Sequence, residues 1–207
     1  VVLAGDGNNN GTGGIGVTAA GSVSAGRDLT LLGTSYTDLG TIGSPSYGIL
    51  IDGDGNNIQL SAEGNILLQS IGATTDLYVA GRVVRTGTGV GSITLQSHRN
   101  VILSSGTAVL GAESGTVGAT DVTLNADRDG ANGGNIQITS ASIVTNGGNI
   151  VMGGGDDPWN KEAVGSGGSN GTVGSGISLN SANLNSGTGS ISLRGEGFAG
   201  GVGTLYR

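Results

Sequence analysis

"SASIVTNGGNIVMGG", residues 140–154, returns in altered form as "SANLNSGTGSISLRG", residues 181–195. The second stretch lies 41 residues after the first and keeps small, apolar and Gly residues in the same places, although most letters differ. Within each stretch apolar residues alternate with small or polar ones, the period-2 signature of a strand with one buried face. Ile136, Ile143 and Ile150 open three such segments at a step of seven, and Ile177, Leu184 and Ile191 repeat that step. Spacing is kept while letters drift.

Outward from this stretch the pattern continues. Ile93, Val101 and Val109 step by eight, Ile15, Val23 and Leu29 by eight and six, and Ile58, Ile66, Leu77 and Val122 open further segments. Between them stand "GG", "SGTG", "TGTG" and "NGG", residues that reach positive φ cheaply and let a chain turn a corner. Corners that bend the strand by a third of a circle give three short sides, a coil of about 21–24 residues, and parallel stacking of one coil on the next. The reading is all-β: a parallel β-helix, or β-solenoid, with three strands per coil. No apolar stripe of period 3.6 survives for two turns, so helices are not expected. Seven or eight coils fit, making a rod of about 35–40 Å at roughly 4.8 Å per coil. The 41-residue offset is then one coil plus an excursion, residues 153–173, and a second excursion covers residues 33–48.

Composition bounds the partners. Of 207 residues 45 are Gly, 11% are charged and 3% aromatic, so any core is narrow and built from Val, Ile, Leu and Ala. The net charge of −7 offers no basic stripe for nucleic acid. Cysteine is absent, which removes disulfides and thiolate metal sites. No run approaches the roughly 18 apolar residues of a membrane span. The opening "VVLAGDGNNN" has neither a Met nor a signal-peptide layout, and residues 1–207 read as one solenoid segment of a longer repetitive protein or of a stacked filament.

"VTLNADRDGANGGNIQITSASIVTNGGNIVMGGG", residues 122–155, resembles the repetitive shaft of filamentous-haemagglutinin-like exoproteins, large bacterial adhesins exported by two-partner secretion. "GISLNSANLNSGTGSISLRG", residues 176–195, is similar, with weaker echoes in "AGRDLTLLG" and "EGNILLQS". The resemblance implies a right-handed parallel β-helix, an extracellular place on the bacterial surface, and a role in attachment or surface coating. It carries over no catalytic residue. The "NPNG"-type motifs of that family's secretion domain are missing, so the segment corresponds to shaft.

Several residues invite chemistry. "DGDGNNIQLSAE", residues 52–63, sets Asp52, Asp54 and Asn56 at positions one, three and five and Glu63 at twelve of a calcium-loop spacing. Position six is Asn57 where that loop needs Gly, and strands flank it where helices belong, so the competing reading is a polar corner and no cofactor. The excursions carry Tyr36 and Tyr47, and Asp156, Asp157, Trp159 and Lys161, as candidate partner contacts, since function concentrates on loops. His98 is the only histidine and is expected to be exposed; a histidine triad is not available. Solenoid enzymes acting on acidic polysaccharides group Asp with Arg along one face, and Asp76, Arg82 and Arg85 come nearest to that. Sequons stand at Asn10 and Asn170.

The expectation is a non-catalytic, adhesive or structural shaft whose apolar openings, "VVLAG" and "GTLYR", meet neighbouring solenoid segments or identical copies end to end, and whose loops meet a host-cell, bacterial or polysaccharide surface. The alternative is a solenoid that binds or cleaves carbohydrate. Its mark is an aromatic platform, and Tyr36, Tyr47, Tyr78, Trp159, Phe198 and Tyr206 are scattered along the chain.

Overall fold

The structure, a computed structural model, describes residues 1–5, 13–18, 21–34, 47–52, 58–104, 109–112, 116–131, 133–165 and 174–198. Every element among these is a strand. The first coil is β1 (Val2–Ala4), β2 (Ile15–Thr18) and β3 (Ser22–Ala25); the second β4 (Leu29–Gly33), β5 (Tyr47–Asp52) and β6 (Gln59–Ala62). The third is β7 (Ile66–Ser70), β8 (Asp76–Ala80) and β9 (Arg82–Arg85); the fourth β10 (Gly91–Ser97), β11 (Val101–Ser104) and β12 (Val109–Ala112). The fifth is β13 (Thr120–Ala126), β14 (Ile136–Thr139) and β15 (Ser142–Val144). The sixth is β16 (Ile150–Gly154), a side strand β17 (Ala163–Val164), β18 (Ile177–Asn180) and β19 (Asn183–Asn185). β20 (Ile191–Leu193) begins a seventh, and β21 (Gly195–Glu196) leaves it to pair with β17.

Each strand pairs in parallel with the strand three places on, except where β17 intervenes. Sheet 1 is β1-β4-β7-β10-β13-β16-β20, sheet 2 is β2-β5-β8-β11-β14-β18, and sheet 3 is β3-β6-β9-β12-β15-β19. The chain is therefore a parallel β-helix with three strands per coil. Sheet 1 rises through six steps, roughly 29 Å at about 4.8 Å each. The register confirms the repeat: Ile136 lies beside Ile177, Ile143 beside Leu184, and Ile150 beside Ile191.

Pitch varies more than the sequence reading allowed. Leu60 pairs with Val83, 23 residues on, whereas Val101 pairs with Ile136, 35 on, because the segments between strands differ in length. Six coils are complete among the described residues, short of the seven or eight expected. Gly33 closes β4, Tyr47 and Gly48 open β5, and Gly153 and Gly154 close β16, so both excursions are shorter than the 33–48 and 153–173 spans read from sequence. In the fourth coil the core residue is Leu110, in register with Val83 and Ile143, one place beyond Val109.

Corners take the left-handed conformation at equivalent places. Ser140 and Ser181 (φ 51° and 52°) turn from sheet 2 to sheet 3, and Asn146 and Gly187 (φ 52° and 63°) turn from sheet 3 to sheet 1. Serine is costly there, and its recurrence 41 residues on shows that the corner dictates the angle.

The interior is a stack of single-file columns. In sheet 1 the columns read Leu29, Ile66, Ile93, Val122, Ile150 and Leu31, Leu68, Leu95, Leu124, Met152, all essentially without solvent contact. Each such side chain contributes about 1.5–3 kcal/mol on leaving water. One column of sheet 3 reads Ala25, Ala62, Arg85, Ala112: a buried arginine between alanines.

Candidate functional site

The corner between sheets 1 and 2 in the fifth and sixth coils holds a groove of about 360 Å3. Asp127 anchors its floor. At φ 50° its N–H donates to the Arg99 carbonyl of the coil before (3.0 Å), and its own carbonyl accepts from Gly155 of the coil after (3.1 Å). Arg128, Asp129, Asp156, Lys161 and Glu162 line the walls.

The outer wall is a tight turn organised by Asp157. Its carboxylate accepts from the Trp159 N–H (3.1 Å) and the Asn160 Nδ2 (2.8 Å), and its carbonyl accepts from the N–H groups of Asn160 and Lys161. Asp157 thus shapes the loop from within. Asp156 and Lys161 form an ion pair across the turn that holds the carboxyl below its usual range and raises the ammonium. Trp159 remains 47% exposed while its carbonyl accepts from Arg194 Nε. Three of the four residues expected at this loop, Asp156, Trp159 and Lys161, are exposed; Asp157 is half-buried. His98 is not fully exposed as expected: its Nδ1 stands 3.7 Å from Asp129 Oδ2, and about a fifth of its side chain meets solvent.

Tyr47 belongs to a strand rather than a loop. Its ring lies 5.5 Å from that of Tyr78 at 53°, bringing together two aromatics 31 residues apart. Burial first, then the neighbouring Asp76, pushes the Tyr47 phenol up to about 12. Tyr36 lies outside the described residues, as do Asn10 and Asn170.

Asp76, Arg82 and Arg85 do not assemble. Asp76 opens β8 on sheet 2 and is grasped by Arg99, Nε to Oδ1 and Nη2 to Oδ2, with Asn100 Nδ2 adding a bond at 2.9 Å. This pairing raises the Arg99 guanidinium above its usual value despite burial. Arg82 lies on sheet 3 and donates to Gln59 Oε1 (3.2 Å). Arg85, 1% exposed, points inward and gives its five N–H groups to neutral acceptors at three successive corners: the carbonyls of Gly64 (2.7 Å), Glu63 (2.8 Å), Gly89 (2.9 Å) and Ala119 (3.5 Å), and the Thr120 hydroxyl (3.0 Å). Desolvation lowers its pKa from the usual guanidinium value.

The calcium spacing is split by the triangle. Asp52 closes β5 at one corner and Glu63 follows β6 at the next, with the four residues of β6, about 13 Å, between those corners. Asp54 and Asn56 lie outside the described residues. Among the described residues no three His, Asp or Glu side chains converge on a metal-sized space.

What the sequence reading missed is a pair of polar ladders. Asp28 Oδ1 accepts the Asn65 N–H (2.7 Å), Asn65 Oδ1 that of Ser92 (3.0 Å), Asp121 Oδ1 that of Asn149 (2.7 Å), and Asn149 Oδ1 that of Ser190 (3.0 Å). A second, buried ladder runs from Asp76 through Asn100 to Asn135. The signal was present: an Asn or Asp directly before the apolar opener, as in "DL", "NI", "NV" and "DV". These side chains bond the next coil, where a corner reading has them bonding their own backbone.

No protein-family model matches the chain, and searches of curated proteins and of solved structures found no match either.

Proposed function

We propose that the chain is a non-catalytic segment of an extracellular shaft on the bacterial cell surface, serving attachment or surface coating. The observation that carries this reading is the use made of two of the buried ionisable side chains, Asp76 and Arg85. Both are tied to groups of adjacent coils, so their chemistry is spent on holding the stack. The parts left free to differ are the outward residues and the corner loops, among them the Asp156–Lys161 turn with its half-exposed Trp159. Its partners in this reading are neighbouring coils at either end and a cell or polysaccharide surface at the side.

The test is retention of protein-coated beads on host cells, bacterial cells and immobilised polysaccharides, with electron microscopy of the particles. Retention that falls when Trp159→Ala and Lys161→Ala are combined supports the reading. Beads that bind no surface at all would overturn it.

A carbohydrate-directed solenoid is the second reading, favoured by one observation: the groove beside Asp129, Asp156 and Glu162 with a half-exposed Trp159 on the same turn. Sugars stack on such rings and their hydroxyls bond to carboxylates. Release of reducing ends from a polysaccharide, abolished by Asp129→Asn, would establish this reading in place of the first.

A further inference from the structure

Tyr47 and Tyr78 stand on adjacent coils with ring centroids 5.5 Å apart at 53°, the one close aromatic pair among the described residues. A local irregularity creates it. Leu77 and Val79 are wholly buried, so Tyr78 between them points out of sheet 2. Ile49 and Ile51 are wholly buried too, and strict alternation would carry Tyr47 inward with them. The register instead slips: Tyr47 lies beside Asp76 and Ile49 beside Leu77, which leaves Gly48 as an extra residue. Such a bulge re-aims the side chain next to it. Tyr47 thereby turns outward, onto the diagonal from Tyr78 that an aromatic side chain can span. Only glycine fits the bulge, because a Cβ on Gly48 would collide with the Ser70 hydroxyl and the Gly33 carbonyl. Both tyrosines are half-buried, so reagents in solvent reach them.

We propose that Tyr47 and Tyr78 are a site of oxidative cross-linking, at which a one-electron oxidant joins the two rings through their ortho carbons and staples the second coil to the third. Each phenol gives up one electron and its hydroxyl proton and becomes a neutral phenoxyl radical. The two ortho carbons form a carbon–carbon bond, and the hydrogen on each of them passes to the ring oxygen, which restores two aromatic phenols. For each bond formed, one hydrogen peroxide, acting through a haem peroxidase, is reduced to two waters. The surroundings suit this route. Burial first, then the carboxylates of Asp76 and Asp52, disfavour a phenolate at Tyr47, but a radical carries no charge and escapes that penalty. The tilt between the rings is of the kind a twisted biaryl keeps, so the rings need to approach and not to rotate. The strands beneath them, β5 and β8, are already held side by side by their ladder. The chain has no cysteine, so no thiol of its own would reduce the radicals.

The chain has four tyrosines, so Tyr36→Phe combined with Tyr206→Phe leaves this pair alone. Treated with hydrogen peroxide and a haem peroxidase, that variant is expected to stay a monomer and to gain the blue fluorescence of a bityrosine. Its urea midpoint is expected to rise, since a cross-link narrows the unfolded ensemble. Cleavage after glutamate then leaves residues 1–63 joined to residues 64–113 in one species, lighter than the two peptides together by two hydrogen atoms. Adding Tyr78→Phe is expected to abolish that species and to leave the strand spectrum unchanged. Three results would overturn the proposal: fluorescence found only between separate chains, a folded chain that yields no joined peptide, or as much joined peptide from the urea-unfolded chain as from the folded one. The inference does not rest on the attachment reading, which the bead assay judges separately.

Discussion

Asp76 and Arg99 face each other across the third and fourth coils, Nε to Oδ1 and Nη2 to Oδ2 both at 2.7 Å, with the carboxylate almost wholly enclosed and the guanidinium about one-third exposed. A forked pair of this kind joins layers that share no covalent connection nearby. Removing one partner of a buried pair costs about 3–5 kcal/mol, because the other stays behind uncompensated. Arg99→Ala is expected at the lower end, about 3 kcal/mol, since Asn100 still bonds Asp76. Urea unfolding followed by circular dichroism reads this directly, and an unchanged midpoint would refute it.

Arg85 has no carboxylate among its bonds, so its role is geometric: five donors in a fixed fork matched to acceptors at three successive corners. Lysine cannot reproduce that fork. Arg85→Lys is expected to destabilise by about 2–3 kcal/mol, whereas Arg82→Lys, on the outer face of the same strand, stays within about 0.5 kcal/mol. Equal losses at the two positions would count against this assignment.

The Tyr47 phenol gives the molecule an alkaline weakness. Its folded pKa, about 12, exceeds the ordinary value of 10.0, so the folded state keeps the proton while the unfolded chain gives it up. Its stabilising contribution is therefore whole below pH 10 and lost as pH rises toward 12. Tyr47→Phe should flatten the fall in melting temperature across that interval; a fall as steep as in the unmodified chain would exclude Tyr47 as its source.

Gly111 sits in β12 at φ +100°, and a Cβ there would meet the Val144 carbonyl of the next coil. Both conformation and space exclude a side chain. Gly111→Ala is expected to cost more than 2 kcal/mol, at the level of about a lost core contact. Gly89→Ala meets open space and is expected within about 0.5 kcal/mol. Thermal melts of the two variants suffice, and the prediction fails if they coincide.

Alternation and the 41-residue offset carried the register of Ile136, Ile143 and Ile150 correctly, because an inward residue on a stacked coil has no choice of neighbour. Arg85 escaped because "RVVR" is symmetrical and shows no alternation to say which end faces in, and only the small residues above and below, Ala62 and Ala112, reveal that Arg85 turns inward. Tyr47 and Tyr78 looked scattered because their meeting depends on coil pitch, which the corners lengthen irregularly. The groove at Asp127 depends on a corner angle and on a turn in the following coil, neither of which has a local pattern to read.

The ladder bonds of all three sheets lie along the stacking axis, and this decides how the molecule answers a pull on its two ends. Tension so applied opens one layer at a time, each detaching while those beneath stay shut, and each release pays out a loop of some 23 to 41 residues as set by the register steps. Such a stack gives way in small stages instead of snapping.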